Sequence, residues 1–217
     1  LPDSADEVRC GSERLSARPV IVGFGPAGMF ASLTLAALGY APLVIERGGS
    51  VGERVAAVEH FYRTGELDTG TNIQFGAGGA GTFSDGKLTT RIGDPRCRGV
   101  LKMLHSLGAP EDILTSAKPH IGTDILRRVV ENAAERLTEL GGEIRYHTAL
   151  TELPMRSGEV GRIMTDGGEI ECGAVVLAVG HSARDTYSMI MRRGYEVVPK
   201  AFSMGLRIEH LREDIDR

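Results

Sequence analysis

Residues 20–28 read Val-Ile-Val-Gly-Phe-Gly-Pro-Ala-Gly, and the next apolar run closes as Val44-Ile45-Glu46. This pairing decides the fold. It describes a short buried strand, a tight glycine turn, a helix, a second strand and an acid at that strand's tip, which is the βαβ pattern of dinucleotide-binding sheets. Gly23 permits the sharp turn out of the strand, Gly25 lets a pyrophosphate approach the backbone, and Gly28 lets the helix pack close to the sheet. The pyrophosphate would lie over the helix N-terminus, where free N–H groups and the dipole favour negative charge. Glu46 would accept from a ribose diol at roughly the expected 20-residue offset. The flanks agree. Residues 27–38 are rich in Ala, Leu and Met without a breaker, and Gly39 follows as a helix stop.

Composition narrows the class. With 41% hydrophobic and 25% charged residues in 217, the chain is globular and large enough for one good core or parts of two. A net charge of −4 and scattered basic residues exclude a nucleic-acid surface. No apolar run is long enough to span a bilayer and no signal-peptide pattern opens the chain. Cys10, Cys97 and Cys172 are far apart with no C-x-x-C, so no metal site is expected and a reducing, cytoplasmic setting is.

The spacing predicts a tail over 1–18, a helix over 53–62, and a long glycine-rich loop over 69–91. Helices are expected over 94–107 and 110–115. A longer one over 124–140 would be capped by Thr123 and ended by Gly141-Gly142. Strands are expected over 143–147, 150–155, 160–165 and 169–172. The run Ala-Val-Val-Leu-Ala-Val at 174–179 reads as a strand buried inside a parallel sheet, followed by a helix over 183–193. Alternation over 201–209 reads as another strand. The chain opens at Leu1 and closes inside that pattern, so further sequence is expected at both ends.

V-I-V-G-F-G-P-A-G-M-F-A and V-I-E-R-G (44–48) resemble the two-dinucleotide-binding-domain flavoproteins of the glutathione reductase type. F-G-A-G-G-A-G-T-F-S-D-G-K-L-T-T-R (75–91), A-K-P-H-I-G-T-D (117–124), L-A-V-G-H-S-A-R-D-T (177–186) and F-S-M-G-L-R-I-E-H (202–210) are similar to a more specific group. That group is a bacterial family of uncharacterised FAD-dependent dehydrogenases. The resemblance runs from about Arg18 to the end. It implies a Rossmann-like α/β fold with a parallel FAD/NAD(P)-binding sheet, a helical insert and a small β-meander. Its domain division would be 19–198 for FAD binding, with an insert at about 69–122, and 199–217 as the start of a substrate-side domain. It implies that Gly23, Gly25, Pro26, Ala27 and Gly28 cradle the FAD pyrophosphate, that Glu46 binds the adenosine ribose, and that Arg47 lies beside the adenine. Leu150 would meet the adenine edge. Gly79, Ala80, Gly81 and Thr82 would pass the ribityl chain and ring, and Gly180-His181 would approach from the other side. The chain departs from the family at Ala77, where an acid is common, and at Leu211, where a proline is common. A second glycine–aspartate motif that completes the FAD site is expected downstream of this chain.

In such proteins FAD carries the hydride chemistry and the protein supplies position and charge. Lys87 is a candidate cation near the flavin carbonyls, or a surface lysine at a turn. Lys118 and His120, stiffened by Pro119, are candidates for a fixed charge and an acid or base; alternatively His120 bonds backbone at the mouth of the long helix. His181 follows the buried strand and suits a cofactor contact. Arg184 and Asp185 are expected to pair with each other, and Ser84-Asp85 reads as a turn rather than a nucleophile elbow. The expected activity is hydride transfer through FAD to or from an unidentified small organic substrate. NAD(P)H is a candidate donor, although a second G-x-G-x-x-G is absent from the chain. The rival readings are a catalytically inactive nucleotide-binding module, a piece of a split flavoprotein, and an NAD(P)-dependent dehydrogenase. The oligomeric state stays open.

Overall fold

The computed structural model describes residues 11–12, 14–83, 86–90, 92–156, 158–202, 204–206 and 208–216. Cys10, the Ser84-Asp85 turn and most of the 1–18 tail lie outside the described residues. The fold is a Rossmann-like α/β arrangement. β1 (Pro19–Val22), α1 (Pro26–Ala37) and β2 (Leu43–Ile45) form the opening βαβ unit, and α2 (Val51–Thr64) follows. A glycine-rich segment ends in a 3₁₀ turn at Ala80–Phe83. Next come α3 (Arg96–Ser106), a 3₁₀ turn at Glu111–Leu114 and α4 (Thr123–Glu139). β3 (Glu143–Arg145) leads into a meander of β4 (Leu150–Glu152), β5 (Arg162–Thr165) and β6 (Gly168–Glu171). β7 (Ala174–Leu177), α5 (Arg184–Arg192) and the short α6 (Arg212–Ile215) complete the described elements.

Four strands form a parallel sheet in the order β3-β2-β1-β7, with Val20 opposite both Leu43 and Val175. The two-residue period of a strand sends neighbours to opposite faces, so the sheet needs cover on both sides. Ile21 and Val44 face a layer of helices and join Met29 and Leu33 of α1 and Val129, Val130, Ala133 and Leu137 of α4. Val20, Val22, Leu43 and Ile45 face the other way, onto Leu150 and Ile163 of the meander and Met189 of α5. Each of the Val, Leu, Ile and Met side chains among them contributes roughly 1.5–3 kcal/mol on burial. The antiparallel meander, in the order β4-β5-β6, is thus a lid on one face of the sheet.

Three expectations are corrected. Thr123 does not cap α4: the cap position is Gly122, whose carbonyl already accepts from Leu126 N–H at 2.8 Å, so Thr123 is the first helical residue. The strand at 174–177 is an edge strand rather than an interior one among the described residues, and Leu177 stays 39% exposed. No strand forms among the described residues of 201–209. Phe202, Met204 and Leu206 are 78%, 84% and 94% exposed, because an alternating pattern makes a strand only when a neighbour takes up its backbone groups.

Candidate functional site

The turn from β1 into α1 opens on a cavity of about 580 Å³ at the carboxyl ends of β1, β2 and β7. Gly23 has φ +101, and an added Cβ would lie 2.6 Å from the Ala178 carbonyl oxygen, so the turn needs glycine. Gly28 is on the far side of the same turn. A Cβ there would lie 1.9 Å from the Gly23 carbonyl oxygen and 3.2 Å from Ile21, which is how α1 gets close to the sheet. Gly25 is the cap residue of α1, with Pro26 in the first turn, where its missing N–H costs nothing. Across the cavity, Gly79 approaches: its Cα is 3.7 Å from the place a Gly25 Cβ would take.

Of the residues named from the sequence, Gly23, Gly25, Pro26, Ala27, Glu46, Arg47, Gly79, Ala80, Gly81, Leu150, Gly180 and His181 all line this cavity. Gly28 does not line it; it packs against β1. Thr82 does not line it either. It is buried, and its hydroxyl is directed at Gly78, where an added Cβ would lie 2.1 Å from Oγ1. Lys87, Lys118 and His120 also lie off the cavity. Lys87 and His120 face each other in an isolated β-bridge, with Leu88 N–H donating to the Pro119 carbonyl and Ile121 N–H to that of Gly86, both at 2.9 Å. The pairing buries Ile121 and leaves Lys87, Lys118 and His120 exposed.

Glu46 is almost fully buried at 5% exposure, and its carboxylate is already engaged. Oε2 accepts from Phe24 N–H at 2.8 Å; Oε1 accepts from Gly48 and Gly76 N–H at 3.0 Å each. It therefore ties the glycine turn to the glycine-rich segment besides facing the cavity. Arg47 leaves the same strand tip, lies over the Phe75 ring at 4.6 Å, and donates to Asp185 at 2.9 and 3.0 Å. Asp185 thus pairs with Arg47 and not with Arg184, as adjacent residues on a helix point away from each other. Burial raises the Asp185 pKa, but the Arg47 bond and charge, together with the backbone N–H groups of Thr186 and Asp185, outweigh it and hold the carboxyl below its usual range.

Sequence reasoning missed the most buried charged group. Arg54 of α2 has no exposed surface, and its guanidinium donates to the carbonyls of Asn72 (3.1 Å), Ile73 (2.8 Å), Ala77 (2.6 Å) and Gly79 (2.9 Å). It also lies over the Phe83 ring at 4.6 Å. Burial pulls its pKa down from 12.5 to about 10, with Glu46 drawing it back up and Arg127 pushing it further down. An arginine in a helix otherwise rich in charge reads as solvated; the clue was its place on the same face as Val51 and Val58, three and four residues away, the other buried positions of α2.

At the start of α2, Ser50 and Glu53 form a capping box, and His147 Nε2 stands 3.0 Å from Glu53 Oε1. The His147 bond, then those from Ser50, hold the Glu53 carboxyl at about 2 instead of 4.5. A depressed folded pKa means this contribution is complete above 4.5 and is lost as pH falls towards 2. Both side chains are more than half exposed, so the effect is modest. Glu53→Gln should therefore lose less thermal stability than the parent between about pH 5 and pH 2. Equal losses in thermal melts would remove the pair from the account.

Among the described residues no group of three or more His, Cys, Asp and Glu could hold a metal ion, and no helix is long and apolar enough to cross a membrane. No family model matches the chain. A curated relative, an uncharacterised protein of Clostridium beijerinckii, is 49% identical over 97% of this chain, which spans 40% of that protein's length. Two solved structures share the fold at low identity. Glycine oxidase from Bacillus cereus is 14% identical with a TM-score of 0.52, over 82% of this chain and 59% of its own. THI4 from Thermovibrio ammonificans is 17% identical with a TM-score of 0.51, over 82% of this chain and 62% of its own.

Proposed function

We propose that the chain is the dinucleotide-binding part of an FAD-dependent oxidoreductase that moves a hydride to or from a small organic substrate in the cytoplasm. One observation carries this reading: a glycine turn and helix N-terminus open on a cavity whose second wall is also glycine and whose edge holds the β2 carboxylate. The residues suit such a group. The cavity volume falls in the range of ligand pockets, roughly 300–1,000 Å³, and Gly25 and Gly79 leave the backbone bare on both sides. Bound FAD would supply the hydride-accepting chemistry. The first turn of α1 would hold the pyrophosphate by its N–H groups and dipole. Glu46 would present a carboxylate edge to the ribose, and Leu150 an apolar face to the adenine. Gly79, Ala80 and Gly81 would keep water off the opposite side. NAD(P)H is proposed as the electron donor. The shared fold with an oxidase supports the class.

A catalytically silent nucleotide-binding module is the second reading. It is favoured by the exposed positions of Lys87 and His120 on a β-bridge, and of Lys118 beside it, away from the cavity. The deciding experiment adds FAD to the purified chain, and to a longer one with its natural flanking sequence, removes the excess and records the visible spectrum. Retained flavin that NAD(P)H bleaches supports the enzyme; retained flavin that no donor reduces supports the module. Flavin on neither chain overturns the FAD enzyme and leaves the nucleotide-binding module standing. In the same assay Lys118→Ala and His120→Ala should leave retention within about twofold, as exposed substitutions do. A larger loss would place them at the cofactor after all.

A further inference from the structure

We propose that Arg54 is a positioning residue for this cavity: its guanidinium gathers four carbonyls of 72–79 behind the glycine wall and so fixes the wall against which a dinucleotide binds. The proposal rests on the dinucleotide reading above. A planar fork with five donors can collect several carbonyls at fixed angles, which an ammonium cannot. Here the acceptors are Asn72, Ile73, Ala77 and Gly79, at 2.6–3.1 Å. Turning these carbonyls inward presents the other side of the wall to the cavity, which Gly76 and Gly79 line. Gly76 shows how tightly the two parts are matched. Its φ is +116, and a Cβ would lie 2.2 Å from Arg54 Cδ. From the opposite side, Glu46 takes the Gly76 N–H at 3.0 Å. The wall is thus held between a buried cation on its carbonyl side and a buried carboxylate on its amide side, each reaching the other through the peptide groups between them.

A residue that merely fills space and supplies charge would be replaced well by lysine, which keeps the stem and the charge. Arg54→Lys therefore carries the test. Two quantities are read: amide hydrogen exchange of the chain without flavin, and the FAD dissociation constant by flavin fluorescence. The expected result is faster exchange confined to 72–83, with α4 and the two sheets protected as in the parent, and FAD binding weaker by more than about tenfold. Unchanged exchange and affinity overturn the proposal. Exchange accelerated evenly across the molecule also overturns it, since Arg54 then serves general stability. If the parent itself binds no FAD, the functional reading fails while the exchange comparison still decides the role of Arg54.

Discussion

Gly28→Val should leave no stably folded chain and therefore no retained flavin. The added Cβ would stand 1.9 Å from the Gly23 carbonyl oxygen and 3.0 Å from its carbon, both of them backbone. Backbone held in a tight turn at the end of a sheet strand cannot step aside as the end of a flexible side chain can. Gly23 is itself held by its N–H to the Ile45 carbonyl at 2.8 Å. To make room, α1 would have to lift off β1, which unpacks Met29 and Leu33 from Ile21 and Val44. Overpacking typically costs 1–3 kcal/mol where side chains can yield, so a rigid contact should cost more than about 3 kcal/mol. Gly28→Ala carries the same Cβ and should fail almost as badly. Gly25→Ala, whose Cβ meets only an ordinary contact at 3.7 Å, should fold and lose flavin instead. Denaturant unfolding of the three variants separates the two tasks. A Gly28→Val chain with the parent's midpoint would mean that helix and strand are not packed as described.

Glu46→Leu should destabilise the fold by about 3–5 kcal/mol, the cost of removing one member from a buried charged network. Leucine fills the space, but the N–H groups of Phe24, Gly48 and Gly76 lose their acceptor, and a buried donor without a partner costs roughly 1–3 kcal/mol. Arg54 also loses the nearby carboxylate that raises its pKa. Glu46→Gln should be intermediate. Its single carbonyl oxygen can serve Gly48 and Gly76, while its amide would confront the Phe24 N–H. The ordering Leu below Gln below Glu in unfolding midpoint is the expected outcome. A Leu variant as stable as the parent would show that the carboxylate is there for a ligand alone.

These two positions also show how far the sequence reaches. Gly23 and Gly28 were readable because their constraints are local: one strand, one turn and one helix make a glycine obligatory at a fixed offset, whereas the bonds Glu46 takes from Phe24 and Gly76 N–H come from distant parts of the chain. Whether a residue of the glycine-rich segment faces the cavity depends on contacts made elsewhere. Gly79 and Thr82 look alike in the string, yet one lines the cavity and the other is buried behind it. Lys87 and His120 were picked out separately, and their pairing follows from a bridge that no spacing rule announces. Arg54 was overlooked because its four acceptors belong to a loop without periodicity. The Arg47–Asp185 contact joins the tip of β2 to the start of α5 and exists only once the sheet has formed.

The order of the sheet has a consequence for how the protein is made. β1 lies between β2 and β7, and Pro19 of β1 is opposite Ala174. Such distant partners make sheet closure slow. On the ribosome, β1 and α1 emerge well before β7, and one edge of β1 must wait for Ala174–Leu177 before it is covered. During that interval Val20 and Ile21 offer an open strand edge, the kind of surface that nascent chains aggregate through and chaperones shield. Pausing synthesis ahead of residue 174 should lower the soluble yield far more than pausing after it.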